Sequence, residues 1–246
     1  MHRFYISPDV IHEGRVMLRG TIAHQIRDVL RLKPGDPIIL LDNSGYAQRA
    51  DLITVDRDVV RGRIAEKWKL ETEPIARVTL YQGLLKGQKF EWVLQKGTEL
   101  GIYAFAPLIT ARTMVGNLDE VSPARVERWQ KIIVEAAEQS GRARLPHLAD
   151  ALLFKHACDR AARGGLSLIP HEEEKARGLR EALAQVPKSR EINLFVGPEG
   201  GFSEEEIAWA QERGIVAVSL GPRILRAETA GLAATAAILY EMGDLG

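Results

Sequence analysis

The residues that could do chemistry in this sequence are concentrated in two glycine-containing segments near its carboxyl end. In the first, residues 195–202 (FVGPEGGF), an apolar run enters a glycine-rich turn, and Ser203 and Glu206 follow with the spacing of a helix capping box. Glycines let a ligand approach the backbone closely and expose its N–H groups. The segment therefore indicates a ligand-binding loop, with a simple strand–helix connection as the alternative.

The second segment, residues 220–231 (LGPRILRAETAG), also follows an apolar run and opens a helix. It places apolar Ile224 and Leu225 beside charged Arg226 and Glu228. An apolar slot with a few polar groups suits an adenosine-like ligand better than a polyphosphate. Glu199 and the acidic residues 204–206 also crowd the first segment, which disfavours an anionic ligand there.

Other common site types are excluded by spacing. Neither segment has the G-x-G-x-x-G pattern of a dinucleotide site, and residues 83–89 (GLLKGQK) lack the Gly-Lys-Ser/Thr ending of a P-loop. Residues 171–175 (HEEEK) have lysine where a zinc-binding H-E-x-x-H motif needs its second histidine. Cys158 is the only cysteine, so we expect a buried apolar filler, and no metal site is expected.

The elements that would position the two segments alternate between strand and helix after a linker at residues 71–74. Strands are predicted at residues 77–83, 104–110, 166–170, 192–196 and 216–220. Helices are predicted at residues 90–100, 123–140 with Ser122 as cap, 152–162, 175–184, 203–213 and 229–242 with Thr229 as cap. This alternation predicts an α/β domain whose parallel sheet has helices on both faces.

The first third of the chain has a different pattern. Turn signals at residues 33–36 and 42–45 separate short apolar runs, and one helix with Thr21 as its cap is expected among them. The predicted strands are residues 3–6, 15–19, 37–41, 47–53 and 59–66. Many short strands in a compact region predict a small β-barrel.

The 246 residues carry 33 basic and 33 acidic side chains, and 46% of the residues are hydrophobic. This balance excludes a disordered chain and a uniformly basic nucleic-acid coat. Residues 1–35 nevertheless hold six basic and three acidic residues, which suits phosphate contacts or simply a solvated surface. No long apolar run resembles a signal peptide or a membrane span, so we expect a cytoplasmic protein without membrane association.

Taken together, the segments GPEGGFSEEE and LGPRILRAETAG resemble the cofactor loops of the SPOUT RNA methyltransferases. Within that superfamily they are similar to the ribosomal small-subunit RNA uridine-N3 methyltransferases. Residues 29–36 (VLRLKPGD), 95–101 (QKGTELG) and 135–142 (EAAEQSGR) agree with the same family. The resemblance spans nearly the whole chain, and the paired loops are its most specific part.

The resemblance implies a PUA-like RNA-binding barrel at residues 1–72 and a SPOUT α/β domain with a C-terminal trefoil knot at residues 75–246. It also implies a homodimer and S-adenosylmethionine bound in the knot. The implied cofactor-binding residues are Gly197, Pro198, Glu199, Gly200, Leu220, Gly221, Ile224, Leu225 and Thr229.

The implied reaction is methylation of N3 of a specific uridine in 16S small-subunit ribosomal RNA, either free or in the assembled subunit. N3 must lose its proton, and a cation aimed at the flanking carbonyl oxygens would stabilise the resulting charge. Arg226 is the candidate for that cation. Glu228 is the candidate for the base or for orienting Arg226. Each could instead serve as a structural ion pair or helix-terminus contact.

Four basic residues are candidates for RNA contacts. Arg3, Arg31 and Lys33 could hold phosphates, and Arg142 could reach RNA or a partner subunit, with a solvated helix end as its alternative. Two other functions stay open at this point. One is a related SPOUT enzyme that methylates a ribose 2′-oxygen or a tRNA base, and the other is a non-catalytic RNA-binding ribosome-assembly factor.

Overall fold

The computed structural model describes residues 1–113, 118–184 and 191–246, which form two compact units. Unit 1 contains Met1–Glu73 and Ala137–Leu145, and unit 2 contains Pro74–Ala136 and Pro146–Gly246. The first boundary lies within the linker expected at residues 71–74. The functional assignment of residues 1–72 and 75–246 stays a prediction.

Unit 1 is built on a six-stranded sheet with the order β1-β4-β5-β6-β3-β2. Only the pair β1 and β4 is parallel, and the other neighbours are antiparallel. The strands are β1 (Arg3–Tyr5), β2 (Ile11–His12), β3 (Arg15–Arg19), β4 (Pro37–Leu41), β5 (Tyr46–Val55) and β6 (Val59–Lys69). Each predicted strand of this region is therefore present, within a few residues of its expected bounds.

The apolar face of this sheet is covered by helix α1 (Gly20–His24), which continues as a π-helical turn over Gln25–Val29. Ile26 of that turn is completely buried in the unit's core. Thr21 was expected to cap the helix, but this prediction is wrong because the helix begins at Gly20 and Arg19 occupies the cap position. Within residues 1–73, all of which are described, strands β1 and β2 are not paired with each other, so barrel closure stays a prediction.

An ion pair between a buried arginine and a half-buried glutamate joins the two segments of unit 1. The guanidinium of Arg142 donates to Glu73 Oε2 at 2.6 Å, and the backbone N–H groups of Ala143 and Arg144 donate to Glu73 Oε1. The Tyr5 hydroxyl donates to the Arg142 carbonyl oxygen at 2.6 Å. Arg142 is only 4% exposed. The prediction that Arg142 reaches RNA or a partner subunit is therefore wrong, because its side chain is engaged inside its own unit.

Unit 2 contains a parallel sheet whose order, among the described residues, is β10-β8-β7-β12-β11-β13, with β9 also paired to β8. Every pair in it is parallel. The strands are β7 (Arg77–Gly83), β8 (Ala104–Ile109), β9 (His147–Leu148), β10 (Leu152–Leu153), β11 (Leu166–Pro170), β12 (Glu191–Val196) and β13 (Val216–Val218).

Helices cover both faces of this sheet, as the alternating pattern predicts. One apolar core includes residues of α2 (Lys89–Leu100), α3 (Pro123–Ser140), α5 (Leu179–Ala184) and α7 (Ala227–Glu241). The other includes residues of α4 (Phe154–Ala161) and α6 (Glu204–Glu212). Cys158 belongs to the second core, is completely buried, and has a thiol pKa that burial raises to about 12. Its expected role as an apolar filler is thus supported.

Helix ends follow local sequence signals where the partner groups are close along the chain. Helix α2 ends at Gly101, which has a φ of 106° and so favours glycine. The Ser122 hydroxyl accepts a hydrogen bond from the Arg125 N–H at the start of α3. Both ends were predicted from the sequence.

Three predicted bounds are wrong because a pairing partner lies elsewhere in the chain. Residues 152–153 pair with β8 rather than opening α4, and β13 ends at Val218. Residues 175–178 precede α5 instead of belonging to it: the Glu174 carboxylate accepts from two backbone N–H groups there. Gly178 also forms a parallel bridge with Ser219. A strand-like contact has replaced the expected first helical turn.

The turn at the carboxyl end of unit 2 is hydrogen-bonded to the residues that immediately precede its first strand. The two carboxylate oxygens of Asp244 accept from the N–H groups of Ile75 and Ala76, at 2.7 and 2.8 Å. Among the helices that the structure describes, none combines the length and the apolar character that a membrane-spanning segment requires.

Replacing Glu73 with alanine should lower the free energy of unfolding by about 2–4 kcal/mol, because it leaves the buried Arg142 guanidinium without its carboxylate. Urea unfolding of the purified protein measures this. Glu71→Ala, two residues away and exposed, is the matched control and should change stability by about 0.5 kcal/mol or less. Equal stability of the two variants would contradict the role given to the ion pair.

Candidate ligand site at the carboxyl ends of the sheet

A cavity of about 380 Å³ lies in unit 2, beyond the carboxyl ends of β11 and β12. Open α/β sheets bind ligands at this edge. The cavity is lined by His171 and Glu172 after β11, by residues 196–202 at the end of β12, and by residues 224–228 before and within α7. The two segments singled out in the sequence therefore meet at one site.

The glycine loop after β12 is a compact turn with little room for side chains. The Gly201 N–H donates to the Pro198 carbonyl oxygen at 2.9 Å, and Gly201 has a φ of 70°. A Cβ atom placed on Gly197 would lie 2.9 Å from the carbonyl carbon of Gly201. Glycine is thus required at both ends of this turn for steric and conformational reasons.

The same loop is packed closely against the end of β7. A Cβ atom on Gly83 would lie only 2.5 Å from the Pro198 backbone nitrogen. Beside it, the buried Gln82 amide nitrogen lies within hydrogen-bond distance of the Val196 and Gly197 carbonyl oxygens, at 3.4 and 3.2 Å. Neither residue was singled out as part of the site, because the contact joins segments more than 110 positions apart.

Helix α6 begins at the predicted capping box. The Ser203 hydroxyl accepts from the Glu206 N–H, and Glu206 Oε2 accepts from the Ser203 N–H at 2.9 Å. The other carboxylate oxygen of Glu206 accepts from the Ala111 N–H at 2.8 Å. Arg112 then donates to the Gly200 carbonyl oxygen at 2.7 Å. The buried Glu206 therefore ties the segment after β8 to the glycine loop, a role that the sequence pattern did not indicate.

A lysine lies between the two acidic residues of the site. Lys89 Nζ is 3.4 Å from Glu199 Oε1 and 3.5 Å from Glu228 Oε1. Burial raises the pKa of Glu199, but hydrogen bonds from its own N–H, the Lys86 N–H and Lys89 outweigh this and lower the pKa overall. Lys89 was not predicted as a site residue, because its segment, residues 83–89, was compared only with the P-loop pattern, which it does not match.

Glu228 is the more enclosed carboxylate, with its side chain 15% exposed. Its second oxygen, Oε2, is buried and has no hydrogen-bond partner in the described part of the protein. Such an atom can accept a hydrogen bond from a ligand or attract a positive charge. Oε1 lies near Lys89, and within the described residues no ion pair joins Glu228 to Arg226, so the expectation that Glu228 orients Arg226 stays a prediction.

Arg226 is exposed at the mouth of the cavity. Its backbone occupies the N-cap position of α7, where its carbonyl oxygen accepts from the Thr229 and Ala230 N–H groups. Across the described ranges 1–113, 118–184 and 191–246, its guanidinium has no carboxylate within salt-bridge distance. It is thus available to a ligand.

Most of the predicted cofactor-binding residues line this region. Gly197, Pro198, Glu199, Gly200, Ile224 and Leu225 line the cavity, and Leu220 and Gly221 line a smaller adjoining hollow of about 90 Å³. Thr229 lines neither, and it is not the cap of α7 as predicted, because the helix begins at Ala227. Thr229 therefore lies within the first helical turn.

The basic residues Arg3, Arg31 and Lys33 are exposed and belong to unit 1. The site in unit 2 does not include them. In the described residues, no group of three or more histidine, cysteine, aspartate or glutamate side chains is placed to hold a metal ion.

The lining of the cavity defines the ligand it can take. Phe202, Ile224 and Leu225 provide an apolar wall, and the glycine loop provides backbone groups. Carboxylates of Glu172, Glu199 and Glu228 make the site unfavourable for a polyphosphate. A ligand with an aromatic part and a positively charged or zwitterionic part fits this combination.

The matches to known proteins together cover nearly the whole chain. The family model described as an RNA methyltransferase domain matches residues 71–239. The chain is 37% identical to a Bacillus subtilis protein named Ribosomal RNA small subunit methyltransferase E, covering 98% of this chain and 97% of that protein. A Synechocystis protein of the same name is 38% identical, covering 96% of this chain and 77% of that protein.

A similar solved structure is a Ribosomal RNA small subunit methyltransferase E from Neisseria gonorrhoeae bound to S-adenosyl methionine. It has a TM-score of 0.88 and 34% sequence identity, and the match covers 98% of this chain and 97% of that chain.

Gly83→Ala tests the close packing under the glycine loop. We expect it to lower the free energy of unfolding by about 1–3 kcal/mol, because its Cβ would overlap the Pro198 backbone. Gly178→Ala is the matched control, since nothing lies within 4 Å of a Cβ there. Urea unfolding of both variants measures the difference. A Gly83 variant as stable as the control would show that the loop can move away at no cost.

Proposed function

The chain belongs to the family of RNA methyltransferase domains, and from this premise we propose that it methylates N3 of a specific uridine in 16S small-subunit ribosomal RNA. S-adenosylmethionine is the proposed methyl donor. The observation that carries the proposal is the cavity where the segments GPEGG and ILRAE meet, with an apolar wall and a carboxylate oxygen that has no partner among the described residues. The names of the similar proteins support the choice of small-subunit ribosomal RNA.

The residues present fit S-adenosylmethionine. Gly197, Pro198, Glu199 and Gly200 would hold it from one side, and Leu220, Gly221, Ile224 and Leu225 from the other. Its adenosine is apolar enough for the wall at Ile224 and Leu225, and the carboxylates of Glu172 and Glu199 in the lining suit its cationic groups. When bound, it supplies an electrophilic methyl group carried by a sulfonium.

Arg226 is the residue we propose to stabilise the acceptor. When uridine N3 loses its proton, negative charge spreads to the two neighbouring carbonyl oxygens. The exposed guanidinium of Arg226, at the mouth of the cavity and without a carboxylate partner in the described residues, can donate to such an oxygen. This interaction strengthens as the charge develops, and it therefore favours the transition state over the bound substrate.

Glu228 is the residue we propose to accept the N3 proton. Its carboxylate lines the same cavity, and Lys89 lies 3.5 Å from one of its oxygens, while the other has no partner in the part of the chain that the structure describes. The C–S bond breaks as the C–N bond forms, and the proton leaves to the carboxylate. Lys89 thus acts as a positioning residue for Glu228.

We also propose the domain assignment that the resemblance implies. Residues 1–72 would form a PUA-like RNA-binding barrel that holds phosphates with Arg3, Arg31 and Lys33. Residues 75–246 would form a SPOUT domain whose C-terminal segment is knotted and which pairs with a second copy. The six-stranded sheet of unit 1 and the parallel sheet of unit 2 support this assignment.

The experiment that tests the function is nucleoside analysis of ribosomal RNA by mass spectrometry in a strain that lacks this protein. Small-subunit RNA should lose 3-methyluridine, and the wild-type protein should restore it. Loss of a ribose 2′-O-methyl group or of a tRNA methyl group would instead establish a different methyltransferase reaction. No lost methyl group, together with no binding of S-adenosylmethionine in calorimetry, would favour a non-catalytic assembly factor.

Arg226→Ala should lower turnover by about 100-fold, since it removes a charge-stabilising donor, while leaving cofactor affinity nearly unchanged. Transfer of tritiated methyl groups to small subunits from the deletion strain measures turnover, and calorimetry measures affinity. Arg180→Ala, an exposed arginine on α5 outside the site, is the control and should behave as wild type. Unchanged turnover of the Arg226 variant would exclude the assigned role.

A further inference from the structure

A second cavity lies in unit 2 at the opposite edge of the parallel sheet. It has a volume of about 410 Å³, and its lining includes Arg77, Ala104 and Glu191, the first residues of β7, β8 and β12. The proposed cofactor site lies beyond the carboxyl ends of the same sheet. A six-residue strand such as β12 spans on the order of 17 Å, so the two cavities are separate sites.

The second cavity is basic although the whole chain is neutral. Arg77, Arg160 and Arg163 line it, and His147 is also part of the wall. Glu191 is the carboxylate in the lining, and it lies beside Arg77 on the neighbouring strand. Three guanidinium groups against one carboxylate make this cavity attractive to an anion.

Among the described residues, none of the three arginines has an ion-pair partner. For Arg77, Arg160 and Arg163, the part of the chain that the structure describes provides no carboxylate oxygen within 4.0 Å. All three are exposed. By contrast, Arg213, at the carboxyl end of helix α6, forms an ion pair with Asp159. The cavity thus retains cationic groups that can bind a ligand.

An exposed aromatic ring is the second feature of this cavity. Tyr103 is 47% exposed, and the guanidinium carbon of Arg77 lies 5.4 Å from the centre of its ring. Aromatic rings and guanidinium planes are the surfaces on which unpaired RNA bases stack. Tyr81, which also lines the cavity, stacks on Phe195 with ring centres 4.4 Å apart, so an aromatic stack supports this wall.

We propose that this cavity binds a nucleotide of single-stranded RNA that lies outside the methyl-acceptor position, its phosphate against Arg160 and Arg163 and its base against Tyr103 and Arg77. Charge alone would also attract an acidic peptide, but a cavity of this volume with a half-exposed ring beside arginines matches a nucleotide better. The inference rests on the proposed function in that it takes RNA as the substrate class. A free nucleoside monophosphate offers the same chemistry, and the test separates the two sources.

The test uses the full-length protein, a fluorescein-labelled single-stranded RNA of mixed sequence, and UMP. The double variant R160A/R163A should bind the RNA at least about tenfold more weakly and show a smaller dependence of affinity on salt. Its affinity for S-adenosylmethionine and its melting temperature should match those of wild type. R160K/R163K, which keeps both charges, should recover most of the affinity.

The matched control is K131A/R180A, which removes two exposed positive charges elsewhere in unit 2 and should change RNA affinity by less than about twofold. Tyr103→Ala should weaken RNA binding by about fivefold or more, whereas Tyr103→Phe should keep it, because the ring alone provides stacking. This pair separates stacking from general electrostatics.

Equal RNA affinity of wild type and R160A/R163A, or no RNA binding by wild type, overturns the proposal. The proposal is also overturned if R160A/R163A loses affinity for UMP but not for RNA, since the cavity would then bind a free nucleotide instead of an RNA segment. Failure of the wild-type protein to bind S-adenosylmethionine would count against the proposed function alone. The RNA affinities of wild type and the variants could still be compared, because that measurement does not require the cofactor.

Discussion

The close approach of β7 and β12 at their carboxyl ends is the contact on which the ligand site depends. Only a glycine at position 83 lets the Pro198 backbone come this near, and the buried Gln82 amide sits within reach of the carbonyl oxygens there. The glycine loop is then fixed a second time from the other side through Glu206. A loop held at both ends can keep its backbone groups pointed at a ligand without losing entropy on binding.

How much of this molecule can be predicted depends on where the interacting partners lie along the chain. The ends of α2 and α6 follow from Gly101 and from Ser203 with Glu206, because those signals act within one helical turn. The pairing of Arg142 with Glu73 spans 69 positions, and the local pattern therefore suggested contact with RNA or a partner subunit, or else a solvated helix end. For the same reason the loops of the site were predicted, but Lys89, which reaches Glu228 from a distant segment, was not.

The neutral composition conceals opposite charges at the two edges of one sheet. At the carboxyl edge the carboxylates of Glu172, Glu199 and Glu228 outnumber the two cationic side chains in the lining, whereas at the amino edge three arginines outnumber one glutamate. Under the two proposals, a cationic donor binds at the carboxyl edge and an RNA nucleotide outside the acceptor position binds at the amino edge, so each of these ligands meets a field of the favourable sign. Neutrality of the whole then reflects a balance between separate surfaces rather than the absence of charged sites.

The contact of Asp244 with the backbone of Ile75 and Ala76 brings the two ends of unit 2 together, although 169 and 168 positions separate these residues from Asp244. Domains with adjacent ends tolerate circular permutation, because a short peptide can join the old termini without disturbing the core. Unit 2 could therefore be re-opened in an exposed connection away from both cavities and still close on itself. The order of its segments along the chain is in this respect independent of their arrangement in space.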